Sequence, residues 1–365
     1  MASRVTKLLE ELQRKNLDSI LVTSKANFYY VSNYYTEPHE RVIAAYISHT
    51  MDPVILVPAM EVEDARHAGW KEKIIGYYDH ENPWQLLLSY LKKNESIPQS
   101  MAIEQDHITL ERYKAITKML PSTTMFDAKE MLASLRMIKS NKEYNLLKEA
   151  AILADFGIET GVKAVQEGIS ELELIATIEY ELKKQGVQEM SFSTMALSGA
   201  KTASPHGTPS TRKIAAGDLI LFDLGVVFEG YCSDITRTVT FKSITEEQRN
   251  MYNTVLEAEQ EAIQSAQIGT GAGKIDQSAR EIISSAGYGE YFTHRIGHGI
   301  GIETHESPSM HSHNTLPLQA GMCFTIEPGI YIPNIGGVRI EDMIFTTNNG
   351  PEVLTKYPKE LQIIG

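Results

Sequence analysis

Two aspartates, Asp223 and Asp234, interrupt a pair of β-branched and aromatic runs that flank the sequence Phe228-Glu229-Gly230. This pattern predicts a β-hairpin. A turn centred near Phe228 and Glu229 would make the two aspartates cross-strand partners, with Cβ atoms about 4.5–5.5 Å apart. At an effective dielectric of 20 their repulsion is about 3 kcal/mol, so the pair would need a cation, a shared proton or another register. Two solvated surface aspartates are the alternative interpretation.

A second predicted hairpin, 322–345, also carries a carboxylate in each apolar strand. These are Glu327, in Glu-Pro-Gly, and Glu341, in Arg-Ile-Glu. Strand alternation places Arg339 and Glu341 on one face. Taken alone, the segment favours a structural ion pair between Arg339 and a carboxylate. Considered with the first hairpin, it gives four carboxylates that could share one cation site.

Three histidines, His294, His298 and His305, fall within a short glycine-rich segment. The glycines at 297–301 disfavour a helix, so a helical zinc motif is not expected. They permit close backbone approach, and a neutral imidazole at His298 could supply one nitrogen ligand. A further candidate, His206, lies in a Ser-Pro-His-Gly loop and by itself is typical of a surface residue.

Length and composition narrow the class of protein. A chain of 365 residues is long enough for two domains, and 34 basic against 47 acidic residues give a formal charge of −13, which disfavours nucleic acid and anionic membrane as partners. The most apolar stretch, 219–228, is broken by Asp223 and is shorter than the roughly 20 residues that a membrane span needs. Cys232 and Cys323 are too few for a disulfide framework, so we expect a cytoplasmic protein.

The chain divides by pattern into a first domain, 1–130, and a second, 136–365. Alternating elements predict an α/β first domain, with helices at 5–15, 60–68 and 83–93 and strands at 19–23, 42–48, 53–57 and 101–104. A helical stretch at 128–137 connects the two domains. Capping boxes at 140–143, 170–173 and 245–248 each predict the start of a helix. Two similarly spaced helix pairs before strand-like sequence suggest an internal duplication with a site between the halves.

Together these residues resemble the proline-specific metallopeptidases of the pita-bread fold, prolidase and aminopeptidase P. The motifs are the two aspartates eleven residues apart followed by Ile-Thr-Arg-Thr, Gly-His-Gly-Ile-Gly, Glu-Pro-Gly and Arg-Ile-Glu. The resemblance covers 136–365 strongly and 1–130 more weakly. It implies an α+β protein with a C-terminal pita-bread domain and a smaller N-terminal α/β domain of the creatinase N-terminal type. That smaller domain would serve dimerisation and active-site capping.

The resemblance also implies a pair of divalent metal ions. Asp223 would bind one ion, His298 and Glu327 the other, and Asp234 and Glu341 would bridge both. Four hard carboxylates and one imidazole suit Mn²⁺ or Co²⁺ better than a structural zinc site, so Mn²⁺ is expected, with Co²⁺ or Zn²⁺ as alternatives.

Further roles are implied for residues around the ions. Glu327 would shuttle a proton, while His206 and His305 would hydrogen-bond the substrate. His294 would support the site or contact the substrate's proline. Arg339 would orient a bridging carboxylate or meet the substrate's carboxylate.

The expected function is hydrolysis of the Xaa-Pro bond in small peptides by an Xaa-Pro dipeptidase that forms a homodimer. The alternatives are an Xaa-Pro aminopeptidase acting on longer peptides, and a non-catalytic pita-bread binding module, which would generally lose the ligands. Because all five ligand residues are present, a creatinase-like, metal-free enzyme is disfavoured as well as the binding module. Methionine aminopeptidase usually lacks the N-terminal domain, so residues 1–130 disfavour it. In the 33–41 loop, His39 or Arg41 could restrict substrate length from a partner subunit, or the loop could be an ordinary solvent loop.

Overall fold

The structure is a computed structural model that describes residues 2–365. The chain forms two compact units, which meet in sequence between Arg136 and Met137. This junction lies at the end of the predicted 128–137 helical stretch.

The first unit is a mixed six-stranded sheet with helices. Its helices are α1 Ala2–Arg14, α2 Lys25–Ser32, α3 Val62–His67, α4 Pro83–Lys93, α5 Leu110–Met119 and α6 Lys129–Met137. Its strands are β1 Ser19–Val22, β2 Ala44–Ser48, β3 Val54–Pro58, β4 Lys73–Tyr77, β5 Ser100–Ile103 and β6 Thr124–Asp127, in the order β4-β3-β2-β1-β5-β6. Strand β2 runs antiparallel to both neighbours, and the other pairs are parallel. The predicted α/β class is confirmed.

The 33–41 segment follows α2, which ends at Asn33 in a left-handed conformation with φ 61°. At its far end, the guanidinium of Arg41 donates two hydrogen bonds to the carboxylate of Asp79, at 3.0 and 3.2 Å. Both contacts lie within the first unit and are exposed to solvent. A role for this loop in substrate selection therefore stays a prediction.

The second unit contains two helix pairs and two main sheets. Its helices are α7 Asn141–Ala164, α8 Glu171–Lys184, α9 Glu246–Ser265 and α10 Ala272–Ser285. The first sheet consists of strands β8 Met195–Ser198, β9 Leu219–Leu224, β12 Ile235–Phe241 and β20 Ile363–Ile364. The second sheet consists of strands β13 Gly297–Gly299, β14 Glu306–Met310, β15 Cys323–Ile326, β18 Asp342–Thr347 and β19 Gly350–Val353. Two smaller sheets consist of β7 Glu189–Met190, β10 Val226–Phe228 and β11 Tyr231–Cys232, and of β16 Gly329–Ile332 with β17 Gly336–Arg339.

Each helix pair packs on one main sheet. Helices α7 and α8 share an apolar core with β8, β9 and β12, while α9 and α10 share a second core with β15 and β18. The segment before the second helix of each pair makes an equivalent isolated bridge, Ser170 with Lys213 and Gly271 with Pro317. This repetition agrees with the two helix–helix–sheet halves expected from the sequence.

A glycine lets α7 approach its neighbours closely. A Cβ atom at Gly161 would lie 2.8 Å from Cδ1 of Ile178 on α8 and 3.0 Å from the ring of Phe222 on β9. Any side chain here would push α7 away from both elements. The cost of a helical glycine, roughly 1 kcal/mol relative to alanine, is therefore offset by packing.

The first predicted hairpin is present, but its turn lies one residue later than expected. Glu229 and Gly230 occupy the two central positions with φ of 44° and 79°, as a two-residue turn of type I′ requires. Asp223 consequently pairs with Thr236. The prediction that Asp223 and Asp234 are direct cross-strand partners is therefore wrong. Asp234 is offset by two residues from Thr236, which leaves both aspartates on the same face.

The second predicted hairpin is divided into two ladders. Ile326 pairs with Asp342 in the five-stranded sheet, whereas Gly329 pairs with Arg339 in the two-stranded sheet. The junction falls at Glu327-Pro328 on one strand and Ile340-Glu341 on the other. Pro328 lacks an N–H group and cannot donate to a ladder, so regular pairing is interrupted there. The expectation of continuous strand alternation through residue 341 is thus corrected.

All three predicted capping boxes are confirmed, and the one at Thr245 gives a test of local stability. The Thr245 hydroxyl accepts the backbone N–H of Gln248 at 3.2 Å, and the Gln248 side chain accepts the backbone N–H of Thr245 at 2.9 Å. Thr245→Ala should lower the free energy of unfolding by about 1 kcal/mol because it removes this cap. Urea denaturation measures the change.

The matched control is Thr254→Ala, in the interior of the same helix. The Thr254 hydroxyl only bonds the carbonyl of Asn250, and alanine has the higher helix propensity. This variant should be neutral or slightly stabilising. Equal destabilisation by both variants would contradict the capping role.

Candidate metal centre

A cleft of about 690 Å³ opens within the second unit. The nine residues singled out in the sequence all line it: His206, Asp223, Asp234, His294, His298, His305, Glu327, Arg339 and Glu341. The cleft walls also include residues that sequence reasoning did not single out, among them Phe192, Met195 and Arg295. Side chains more than one hundred residues apart in the chain therefore converge on one site.

The five predicted ligands come from strand ends and strand breaks. Asp223 is the penultimate residue of β9, Asp234 directly precedes β12, and His298 is central in β13. Glu327 and Glu341 occupy the junction between the two ladders of the second hairpin. The Glu341 N–H donates to the carbonyl of Thr236 on β12 at 3.1 Å, which ties this junction to the first hairpin.

Glycines on either side of His298 let its strand lie against other backbone. A Cβ atom at Gly297 would lie 1.9 Å from the Thr325 carbonyl oxygen, and one at Gly299 would lie 2.2 Å from the Ser307 carbonyl oxygen. No side chain fits at these distances. The predicted close backbone approach is confirmed, as is the absence of a helix in this segment.

The imidazole of His298 faces a group of carboxylates. Potential ligand atoms of Asp234, His298 and Glu341 all lie within 4.8 Å of one another, and Nε2 of His298 lies 3.3 Å from Oε1 of Glu327. Burial, aided by the neighbouring His305, lowers the pKa of His298 to about 3, so the ring is neutral. Its Nδ1 lies 3.2 Å from the Gly299 carbonyl, which places the proton there and directs the Nε2 lone pair at the carboxylates.

The carboxylates in the cleft carry more negative charge than the surrounding residues neutralise. Burial raises the pKa of Glu327 to about 7. Burial and the neighbouring carboxylates raise the pKa values of Asp234 and Glu341 well above their usual range. Each group therefore holds its proton to a higher pH than a solvent-exposed carboxyl does, and a bound cation could take the place of that proton.

In the part of the chain that the structure describes, one guanidinium is bonded to a carboxylate of the cleft. Arg339 forms a short ion pair with Oδ2 of Asp223, and its Nε donates to the Thr236 hydroxyl at 3.0 Å. Thr236 in turn donates to Glu341 at 2.7 Å. Oδ1 of Asp223 is buried and makes no hydrogen bond with any of residues 2–365. An unbonded buried oxygen, excess negative charge and a neutral imidazole form a donor set that fits divalent cations of the Mn²⁺ type.

His294 lines the same cleft, and both of its ring nitrogens have hydrogen-bond partners. Its Nδ1 lies 2.8 Å from the Arg295 carbonyl oxygen, and its Nε2 lies 2.9 Å from the Tyr331 hydroxyl. Arg339 donates to the same hydroxyl at 3.0 Å. Burial lowers the pKa of His294 to about 4. The ring therefore links Arg339 to the backbone of the histidine segment through Tyr331, a residue that no sequence signal marked.

His206 and His305 are exposed at the cleft. The ring of His305 packs edge-on against that of His298, with centroids 4.1 Å apart. Burial, with Arg295 and His206 nearby, lowers the pKa of His305. Both imidazoles are placed where they can meet a molecule bound in the cleft.

Two sequence families match this chain. Residues 145–348 match metallopeptidase family M24, and residues 4–138 match the creatinase/prolidase N-terminal domain. The chain belongs to metallopeptidase family M24. It is accordingly a hydrolase with the two-domain architecture of the creatinase-like metallopeptidases, and its second unit is the pita-bread domain.

Relatives share this architecture over their full lengths. The protein named "Putative dipeptidase YkvY" from Bacillus subtilis is 48% identical over 99% of this chain and 100% of its own length. A solved Xaa-Pro dipeptidase from Bacillus anthracis superposes with a TM-score of 0.92 at 34% identity, over 100% of this chain and 99% of its own. An X-Pro aminopeptidase from Thermotoga maritima gives 0.89 at 27% identity, over 99% and 100%. Across residues 2–365, no helix has the length and apolar character needed to cross a bilayer.

The raised carboxyl pKa values predict how metal-free protein responds to pH. Asp234, Glu327 and Glu341 retain protons when folded that they release when unfolded, so the stabilisation from each group is lost as pH rises from its unfolded pKa to its raised folded pKa, which for Glu327 is about 7. The low pKa values of His294 and His298 act in the opposite direction, but only below about pH 6.5. Between about pH 6.5 and 7, above the range in which the histidines titrate, Glu327 should make the free energy of unfolding fall with a slope of up to about 1.4 kcal/mol per pH unit, and its contribution should level off above that pKa.

Urea denaturation of chelator-treated protein at several pH values measures this slope. Saturating Mn²⁺ should abolish the decline, because the cation replaces the protons. Glu327→Gln should reduce the slope in metal-free protein by removing one titrating group. The same slope with and without Mn²⁺ would show that these carboxylates do not bind the metal.

Proposed function

We propose that this protein is an Xaa-Pro dipeptidase that hydrolyses small peptides with two divalent metal ions. The observation that carries the proposal is the convergence of four carboxylates and a neutral imidazole on one cleft, where Arg339 forms an ion pair with Asp223. The similarity to a named Xaa-Pro dipeptidase over the whole chain supports the choice of substrate.

The proposed ligands are those that the family resemblance implies. Asp223, Asp234, His298, Glu327 and Glu341 would hold the two ions. Mn²⁺ is the proposed metal because the donors are mostly hard oxygens, with Co²⁺ and Zn²⁺ as alternatives. When bound, two such ions supply Lewis acidity that activates water and stabilises developing negative charge.

The chain's own residues supply proton transfer and orientation. Glu327 takes a proton from water and returns it to the departing nitrogen. His206 and His305, at the cleft surface, hydrogen-bond the substrate. Arg339 holds Asp223 directly and Glu341 through Thr236, which fixes the carboxylates in place.

A homodimer in the cytoplasm is proposed from the family resemblance, together with a capping role for the first domain, 1–130. The net charge of −13 supports a small peptide rather than nucleic acid as the partner.

Hydrolysis of a peptide panel tests the reaction directly. After chelation and reconstitution with Mn²⁺, the protein should cleave Ala-Pro, leave Pro-Ala intact, and act more slowly on Ala-Pro-Ala. Release of free alanine, measured by chromatography, follows all three substrates. Faster cleavage of Ala-Pro-Ala would favour the aminopeptidase, and no cleavage by Mn²⁺-loaded protein would favour a binding module.

Proton transfer by Glu327 gives a second test. Glu327→Gln should lower kcat for Ala-Pro by at least about 100-fold, since general acid–base catalysis contributes 10²–10⁴-fold. Glu257→Gln, an exposed substitution on α9, is the matched control and should retain full activity. Metal content measured on both variants separates lost chemistry from lost metal. A Glu327→Gln variant with near-normal kcat would remove Glu327 from the mechanism.

A further inference from the structure

Glu171, the first residue of α8, is a fully buried carboxylate that lies outside the lining of the cleft. Its Oε1 accepts hydrogen bonds from the N–H and the hydroxyl of Ser198, at 2.9 and 2.8 Å. Its Oε2 accepts from Nζ of Lys201 at 2.6 Å and from the N–H and hydroxyl of Ser210 at 2.8 and 3.0 Å. Although burial opposes ionisation, these hydrogen bonds lower the pKa of Glu171, so the group is ionised at neutral pH.

The three donor residues hold both ends of one loop, 199–209, which carries His206. Ser198 is the last residue of β8, Lys201 lies near the start of the loop, and Ser210 follows its end. One carboxylate therefore joins the two ends of the loop. Joining them removes part of the conformational freedom that a loop of this length would otherwise have.

The backbone of α8 also holds the second end of the loop. The N–H of Glu171 donates to the Arg212 carbonyl, and the N–H of Leu172 donates to the Ser210 carbonyl, each at 3.2 Å. These bonds do not involve the Glu171 side chain. A change of that side chain should therefore loosen the loop while the start of α8 keeps its backbone contacts.

The imidazole of His206 depends on this loop for its position. Within residues 2–365, its ring nitrogens have no hydrogen-bond partner. The loop itself is held toward the cleft by the Thr202 hydroxyl, which accepts the Gly337 N–H at 2.7 Å, and by the Pro205 carbonyl, which accepts from Arg339 at 3.4 Å. The loop thus lies between Glu171 and β17, and the ring is placed by its backbone alone.

We propose that Glu171 is a positioning residue that sets where the His206 imidazole meets the substrate. The inference rests on the proposed peptide hydrolysis, in which His206 hydrogen-bonds the substrate. Because the ring has no partner of its own, a shift of either end of the loop moves the ring relative to the scissile bond. Misplacement of a contacting group by about 1 Å can cost on the order of 10²-fold in rate.

A carboxylate suits this position because both of its oxygens accept hydrogen bonds. The amide of glutamine has the same shape, but its NH₂ group is a donor and would face either the donors of Ser198 or those of Lys201 and Ser210. Glu171→Gln should therefore release one end of the loop without leaving a cavity.

A double-mutant cycle with His206 tests the positioning role. In Mn²⁺-loaded protein, Glu171→Gln should lower kcat/KM for Ala-Pro by about 10- to 100-fold. In a His206→Ala background, the same substitution should change kcat/KM by less than about 2-fold, because the ring that it positions is absent. A residue that only stabilises the fold would lower kcat/KM by the same factor in both backgrounds.

Loop mobility gives a measurement that does not depend on activity. Amide hydrogen exchange in segment 198–210 should be about 10-fold faster in Glu171→Gln than in wild type, since hydrogen bonds to a charged group are lost. Exchange in α10 should not change. Unchanged exchange in segment 198–210 would contradict the role of Glu171 in fixing the loop.

Glu181→Gln is the matched control, being the same substitution on the same helix. The Glu181 carboxylate pairs with Lys184 at the surface, at 2.8 Å, so its loss should leave kinetics and exchange unchanged. Lys201→Met removes one donor to Glu171 and should lower kcat/KM by a smaller factor, again only while His206 is present. Metal content of each variant verifies that the centre is intact.

The outcomes separate this inference from the proposed function. Equal losses from Glu171→Gln with and without His206, or full kcat/KM in either Glu171→Gln or His206→Ala, would overturn the positioning role and leave peptide hydrolysis standing. Failure of the wild-type protein to cleave Ala-Pro would overturn both proposals. Should Glu171→Gln not fold, a Lys201→Met variant with no loss, or with the same loss in both backgrounds, would also count against the role.

Discussion

The structure depends on an excess of negative charge held out of water in one cleft. Two unit charges 4 Å apart interact by about 4 kcal/mol at an effective dielectric of 20, so several buried carboxylates cannot all remain ionised beside one guanidinium. Burial, together with repulsion between the carboxylates, raises the pKa values of Asp234, Glu327 and Glu341. A site that is unfavourable when empty of cations is one that divalent ions stabilise strongly.

Two adjacent carboxylates beside the break between β17 and β18 differ in whether the chain neutralises them. Glu341 faces the cleft, while its neighbour Asp342 points away and pairs with Arg237 at 2.7 Å and with Lys359. Although burial opposes ionisation, these cations lower the pKa of Asp342. On β12, the Thr236 hydroxyl donates to the Glu341 carboxylate, and the guanidinium of the adjacent Arg237 donates to the Asp342 carboxylate. One internal ion cluster therefore supports the hairpins that carry the unneutralised site.

The repeated architecture explains why the site lies where it does. The two aspartates come from the first helix–helix–sheet half, and His298 with the two glutamates comes from the second. Each half alone offers too few ligands for two ions. The site requires both halves to pack, which couples the formation of the centre to the folding of the domain.

The class of fold, the starts of the capped helices and nine of the residues that line the cleft could be predicted from the sequence. These follow from local rules: capping residues act within one helical turn, apolar periodicity reports the element, and carboxylates inside apolar strands are unusual enough to stand out. The register of Asp223 with Thr236, the strand break at Glu327 and Glu341, and the partners of Arg295 and Arg339 became clear from the folded structure. Register depends on a turn conformation that could shift by one residue, and an arginine's partner depends on groups brought near it from distant segments, so neither is encoded in local sequence.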